Sequence, residues 1–195
     1  MFNKNFLAAA AVVIALTPGS AFAAWVLDGA ESSINIVSVK KGKAGEVHSF
    51  KTLSGNVTDD GVATVNIELG SVETGIPIRN TRMGTMLFEI EKFPLAKISA
   101  KLDAEAFKSQ AVGTRMAHEI VLTVDLHGVS KEISAGIYVT RLSKTMVNVA
   151  SAKPIIIKAG KFGLKGGIKA LKKAANLPSI ATAVPTTFNL VFKDQ

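Results

Sequence analysis

The 195-residue chain has no cysteine. That excludes a disulfide framework, a thiol nucleophile and any thiolate metal site, so packing alone must hold the fold. Large polar aromatics are almost missing: Trp25 and Tyr138 stand alone, too few for the stacking platform of a single-stranded nucleic-acid binder. The three histidines, His48, His118 and His127, lie far apart and match no zinc spacing. There is no Gly-x-Ser-x-Gly elbow and no Gly-x-Gly-x-x-Gly loop. Gly163-Leu164-Lys165-Gly166-Gly167 is glycine-rich but lacks the Lys-Ser/Thr ending of a phosphate loop. Asp59-Asp60 resembles a catalytic carboxylate pair, yet the adjoining Gly61 makes a hairpin turn the better reading. These absences speak against an enzyme, and no catalytic or metal-ligating residue is expected. Nor, past the first residues, is any apolar run long enough to cross a bilayer.

What is present begins with an export signal. Lys4 supplies positive charge, Phe6 to Leu16 is an apolar run, and Pro18-Gly19 precedes the small-residue site Ala21-Phe22-Ala23. Cleavage is expected after Ala23, with Ala24 as the alternative. Residues 1–23 then form a signal peptide and residues 24–195 a single domain, long enough to bury a core. Lysine and arginine outnumber aspartate and glutamate 23 to 15, a net charge of +8 that falls to about +7 without Lys4. For an exported chain this suits an anionic membrane surface rather than nucleic acid, although solubility alone also accounts for it.

The mature sequence alternates apolar and polar residues with period two in block after block. Ser32–Lys40 sets Ile34 and Ile36 on one face, and Val62–Leu69 sets Ala63, Val65, Ile67 and Leu69 against Thr64, Asn66 and Glu68. Ala96–Leu102, Ile120–Leu126, Ile133–Val139 and Thr187–Lys193 repeat the pattern. Such segments are half-buried strands. Asp59-Asp60-Gly61 and His127-Gly128 supply the tight turns that join antiparallel neighbours. Many short strands on such turns predict a sandwich or a closed barrel, and a barrel leaves no open edge.

Two segments carry a helical period instead. Between Pro77 and Phe93, Met83, Met86, Leu87 and Ile90 recur at helical spacing. In Gly163–Asn176, Leu164, Ile168, Leu171 and Ala175 share one face, with Lys165, Lys169, Lys172 and Lys173 mostly on the rest and Pro178 just beyond. This second helix reads either as a basic amphipathic helix lying on a membrane or as a helix packed over a barrel end.

An ordered set of short motifs then points to a family. Trp25-Val26-Leu27-Asp28 is followed by Ser33-Ile34-Asn35-Ile36, Phe50 with Leu53-Ser54-Gly55, and Ser71-Val72-Glu73-Thr74. Arg79-Asn80-Thr81-Arg82-Met83, Leu87-Phe88, Phe93-Pro94, Leu122-Thr123-Val124, Gly128-Val129-Ser130-Lys131 and Phe162-Gly163-Leu164 complete the series. No single piece is specific, but over the whole mature chain the order resembles the YceI-like family of exported lipid-binding proteins. The chain departs from that pattern with Asn80 where relatives carry an aspartate, and with Lys161 where they often carry an acid.

The resemblance implies a mainly β fold: a single extended, lipocalin-like antiparallel β-barrel with one or two short helices, its interior holding a polyisoprenoid chain. It implies an apolar lining from Ile34, Ile36, Phe50, Val65, Ile67, Met83, Met86, Phe88, Ile98, Leu122, Val124, Ile137, Val139, Phe162 and Phe188, with Met146 a further adaptable side chain. Ala63, Ala96, Ala100 and Ala135 would leave room that larger residues would fill. Headgroup contacts fall to Arg79, Asn80, Arg82 and Lys161, with Lys165 beside the last, unless the first three only tie down a loop. The leading expectation is a periplasmic carrier of an isoprenoid lipid, quinone or prenyl phosphate, as monomer or homodimer, with no cofactor beyond that bound lipid. The alternative is a stress-response or membrane-surface interaction protein with a filled core.

Overall fold

A computed structural model describes residues 23–194, so the expected signal peptide lies outside the described residues except for Ala23, which opens the first strand. The strands are β1 (Ala23–Leu27), β2 (Ser33–Lys40), β3 (Ala44–Phe50), β4 (Leu53–Thr58), β5 (Val62–Glu68), β6 (Val72–Glu73), β7 (Leu95–Lys101), β8 (Arg115–Leu126), β9 (Val129–Ser143), β10 (Met146–Ser151), β11 (Ile155–Lys158) and β12 (Ala183–Asp194). They form one twelve-stranded antiparallel sheet. Four pairs act as single interrupted strands: β1 with β2, β3 with β4, β5 with β6, and β10 with β11. Each pair faces the same neighbouring run in nearly continuous register; β10 and β11, for example, both lie along β12. With β7, β8, β9 and β12 this makes eight long strands, and β12 closes the ring on β1 and β2. Closure removes the open edge that a free sheet would present.

Three serine hydroxyls bridge the ladder at these four interruptions, Ser71 serving the two that face each other. Ser32 accepts from the Val191 amide at 2.9 Å, Ser71 from the Thr52 amide at 3.1 Å, and Ser151 from the Phe188 amide at 3.2 Å. Backbone donors that the breaks would orphan are thereby satisfied.

The alternating segments become strands, and their apolar residues turn inward, burying Ile34, Val65, Ile67, Leu122, Val124, Ile137 and Val139. His127 and Gly128 both take positive φ, 54° and 74°, between the paired Leu126 and Val129, so the β8–β9 connection is a two-residue turn of the type that matches strand twist.

Three α-helices lie at the barrel ends: α1 (Pro77–Arg82), α2 (Ala104–Ser109) and α3 (Lys165–Ala174). The α1 and α3 segments carry the expected helical periods. Helix α2 was not foreseen; Asp103 caps it by accepting from the Ala106 amide at 3.1 Å. Helix α1 runs directly into a π-helical turn, Met83–Phe88. That i→i+5 winding brings Met83 and Phe88 together in the buried wall and turns Met86 outward, to 37 % exposure.

Helix α3 ends in a Schellman motif. Asn176, at φ 49°, donates to the Lys173 carbonyl, and Leu177 donates to that of Lys172. The helix lies tight against the π turn because Gly167 has no Cβ: one would come within 2.6 Å of the Met86 carbonyl oxygen.

Candidate functional site

The barrel interior is not filled. A cavity of about 470 Å³ occupies the half under α1 and α3, and one of about 130 Å³ the half under α2. The larger lies within the ~300–1,000 Å³ typical of ligand sites, and the smaller is of the order of a site for one benzene-sized group. Four side chains, Ile34, Ile98, Leu122 and Phe188, belong to both walls and form a waist between the two spaces.

Strand alternation builds the wide cavity from Ile36, Phe50, Ile67 and Val124, with Met83 and Phe88 added by the π turn. The Phe50 and Phe88 rings meet at 6.1 Å between centroids. Its roof is α3. Leu164, Ile168, Leu171 and Ala175, the stripe legible in the sequence, all face the cavity, so the lysines of α3 face outward. Of the two sequence readings of this helix, the structure adopts the one packed over a barrel end.

Every charged side chain in this wall is a cation: Lys40, Arg79 and Arg82. Glu46 sits beside two of them, 2.7 Å from Lys40 and also paired with Arg79, whose other nitrogen donates to the Thr74 carbonyl. The Lys40 ammonium, with Arg79, holds the Glu46 carboxyl below the usual carboxylate range. His48 lies behind this group, its ring 3 % exposed and its Nε2 2.9 Å from the Ser38 hydroxyl. Burial, and then the Arg79 charge, push the imidazole pKa down, with Glu46 opposing. Arg82 donates to the Ala174 carbonyl at 3.2 Å and so fastens the end of α3.

The narrow cavity is lined by Val65, Ile137 and Val139, by Ala63 and Ala100, which are register partners, and by Trp25. Its end is plugged. Phe107 of α2 projects into the wall, and Gln110 just after α2 donates to the Thr114 and Val139 carbonyls at 2.9 and 3.0 Å. Arg141 lies over the Trp25 ring at 4.9 Å.

The family model for the YceI-like domain matches residues 25–192, nearly the whole of this barrel. The chain belongs to the YceI-like family. The YceI-like barrel is similar to a solved polyisoprenoid-binding domain from Saccharophagus degradans implicated in plant cell wall breakdown, with 38 % identity, a TM-score of 0.88, and coverage of 89 % of this chain and 100 % of that one. It shares its fold with BcnA of Burkholderia cenocepacia at 18 % identity, TM-score 0.65, covering 85 % and 98 %. The same holds for the YceI protein of Campylobacter jejuni at 16 % identity, TM-score 0.51, covering 76 % and 84 %. No curated protein sequence matches the chain.

In this YceI-like barrel, thirteen of the fifteen residues expected in the lining stand in a cavity wall; Met86 and Phe162 do not. Met86 is turned out by the π winding. Phe162, 1 % exposed, is packed among Leu122, Ile155 and Leu164 and supports the start of α3 from outside the cavity. Met146 lies outside both walls, as does Ala135, which is buried in that same packed cluster.

Among the headgroup candidates, Arg79 and Arg82 reach the wall. Asn80 does not: its Oδ1 accepts from the Thr74 amide and hydroxyl, at 2.9 and 2.5 Å, and its Nδ2 donates to Glu73. Lys161 is exposed outside the wall, and so is Lys165. Periodicity did not single out Lys40, His48, Ile76, Ile78, Leu177 or Ile180, all of which stand in the wide wall. The signal for Lys40 and His48 was available: they continue the inward parity of Ile36 and Phe50 on β2 and β3.

Proposed function

We propose that this chain binds and carries an isoprenoid-type amphiphile, a polyisoprenoid, quinone or prenyl phosphate, with its tail in the barrel and its polar end at the wide mouth. The observation that carries this reading is the apolar cavity of about 470 Å³ whose charged wall residues, among the described residues, are all cations. A filled core, the mark of the alternative reading, is not what the barrel contains. The relative that is 38 % identical over the whole of its own chain is a polyisoprenoid-binding domain, which supports the same ligand class.

Binding would work by burial rather than catalysis. Each methylene-sized group withdrawn from water contributes roughly 0.8 kcal/mol, so a long tail needs no polar motif to bind well. The small side chains Ala63, Ala96 and Ala100 in the two walls leave volume for such a tail. Lys40, Arg79 and Arg82 favour an acceptor or anionic headgroup, replacing the earlier expectation of Lys161 and Lys165. The carrier would act in the periplasm after removal of the expected signal peptide, taking its lipid from an anionic membrane.

Native mass spectrometry of the mature chain purified from its own periplasm, followed by organic extraction and lipid identification, tests this. A stoichiometric prenyl lipid is the expected result. A clean apo mass, unchanged after incubation with ubiquinone and with polyprenyl phosphate, would return the barrel to the interaction-protein reading.

A further inference from the structure

A tail buried in the wide cavity must pass through its mouth, and the mouth is a linked ring. Arg79 of α1 and Lys40 of β2 share Glu46. The β2–β3 hairpin tip then binds the next segment: Lys41 donates to the Ser179 carbonyl at 3.2 Å, and Lys40 bridges Ile180. That segment joins the Schellman end of α3, which Arg82 ties back to α1 at Ala174.

Two kinds of side chain project from this ring. Ile76 and Ile78, either side of Pro77 at the first position of α1, line the cavity yet are 46 % and 57 % exposed. Large aliphatic groups left in water at a cavity mouth suit an apolar partner. The elements of the same ring carry Lys41 and Lys43 on the hairpin tip and Lys172 and Lys173 on the last turn of α3, none paired with a carboxylate among the described residues.

We propose that this rim docks on an anionic phospholipid bilayer, with Ile76 and Ile78 entering the headgroup–acyl boundary and the lysines holding the lipid phosphates. The inference rests on the carrier reading and adds to it the face that meets the membrane. Helix α3 takes part through its lysines alone, because its apolar stripe is already committed to the cavity roof. The arrangement places the opening against the bilayer, so the tail moves between membrane and barrel without crossing water.

Flotation of the mature chain with phosphatidylcholine vesicles, with and without phosphatidylglycerol, tests the docking. Association only with the phosphatidylglycerol vesicles, weakening as salt rises, is expected. The pairs Lys41→Gln with Lys43→Gln and Lys172→Gln with Lys173→Gln should each weaken it on the order of tenfold. They should leave uptake of a dispersed prenyl alcohol unchanged. Ile76→Ser with Ile78→Ser should also weaken docking and slow extraction of a prenyl lipid from vesicles. If that variant loses the dispersed ligand too, the two lysine pairs decide, since none of those lysines is in the wall. No association of the native chain with anionic vesicles overturns the proposal, as does association that survives both lysine exchanges. A self-association abolished by the isoleucine exchange, without vesicle binding, assigns the rim to a second copy and overturns it as well. Docking by a chain that takes up no prenyl lipid supports the rim and counts against the carrier reading, so the two failures are distinguishable.

Discussion

The two ends of the barrel are closed in different ways. At the narrow end, α2 is fixed by a side-chain cap, Gln110 spans two carbonyls, and Arg141 lies over Trp25. At the wide end the cover is a ten-residue helix whose apolar stripe forms the roof, fastened by Arg82, a close glycine contact and its own Schellman turn. A short helix flanked by polar groups that bond its own cap and the barrel is held in place over the narrow end. A roof whose inner face is apolar and whose outer face is lysine can lift without leaving buried polar groups unpaired. On the carrier proposal, the difference places ligand passage at the wide end and tail depth at the narrow one.

The largest effect that sharpens this contrast should come from the aromatic rings at each end. Phe162→Ala removes a fully buried ring beneath the start of α3 and should cost about 3–5 kcal/mol in urea unfolding. Phe107→Ala, at a half-buried plug bordering a void, should cost about 1–2 kcal/mol. Equal costs would erase the asymmetry.

Ala63→Leu together with Ala100→Leu fills the narrow cavity. Affinity for long prenyl tails should drop by about fourfold for each methylene displaced, while short tails bind as before. A series of prenyl alcohols of increasing length, measured by competition, reads this out. Uniform loss across the series would mean that the narrow end does not set depth.

A smaller effect concerns His48 at the wide end. Its pKa is held below the ordinary imidazole value, so the unfolded chain takes up a proton that the folded chain refuses. Stability is therefore full above the unfolded-state value of about 6.5 and declines as pH falls from there toward the lowered folded value. Thermal melts between pH 7.5 and 5 should show a steeper fall for the native chain than for His48→Gln. Parallel curves would place the acid sensitivity elsewhere.

The smallest effect is expected at Asn80. The amide donates to Glu73, whose carboxyl is held down at about 2 by Lys51 first and by Asn80 and the Gly75 amide after it. Asn80→Asp keeps the acceptor for Thr74 but sets a second carboxylate against Glu73. A small loss of stability in urea unfolding is expected near neutral pH, shrinking as acid protonates the pair. A neutral or stabilising result would remove Asn80 from the support of α1.

Much of this architecture was legible from residues. Period-two blocks became β2, β5, β7, β8, β9 and β12, and the stripe Leu164–Ile168–Leu171–Ala175 marked the roof helix. Strands β1, β4, β6, β10 and β11 were harder because their pattern is short or blurred; β10 is half-buried throughout. The π winding was invisible, since Met83, Met86 and Leu87 fit an α-helical face equally well, and so Met86 was placed inside. The mouth was illegible for a different reason. Glu46 and Arg79 are 33 residues apart, and only the β2–β3 hairpin and the turn into α1 bring them together. Likewise, of the two sequence readings of Asn80, headgroup contact and loop tie, the structure shows the tie, and its partners Thr74 and Glu73, at the end of β6, sit where periodicity does not report.

The four serine-bridged interruptions have a mechanical consequence. They lie on the β1–β2, β3–β4, β5–β6 and β10–β11 runs, where a serine hydroxyl and a few backbone bonds replace the regular ladder, while β7, β8, β9 and β12 run through uninterrupted. Amide-exchange openings on the interrupted strands can stop at these breaks instead of propagating as one cooperative unzipping of the barrel. The interrupted side of the barrel should therefore exchange its amides more readily than the continuous β7–β8–β9 side while the molecule as a whole stays folded.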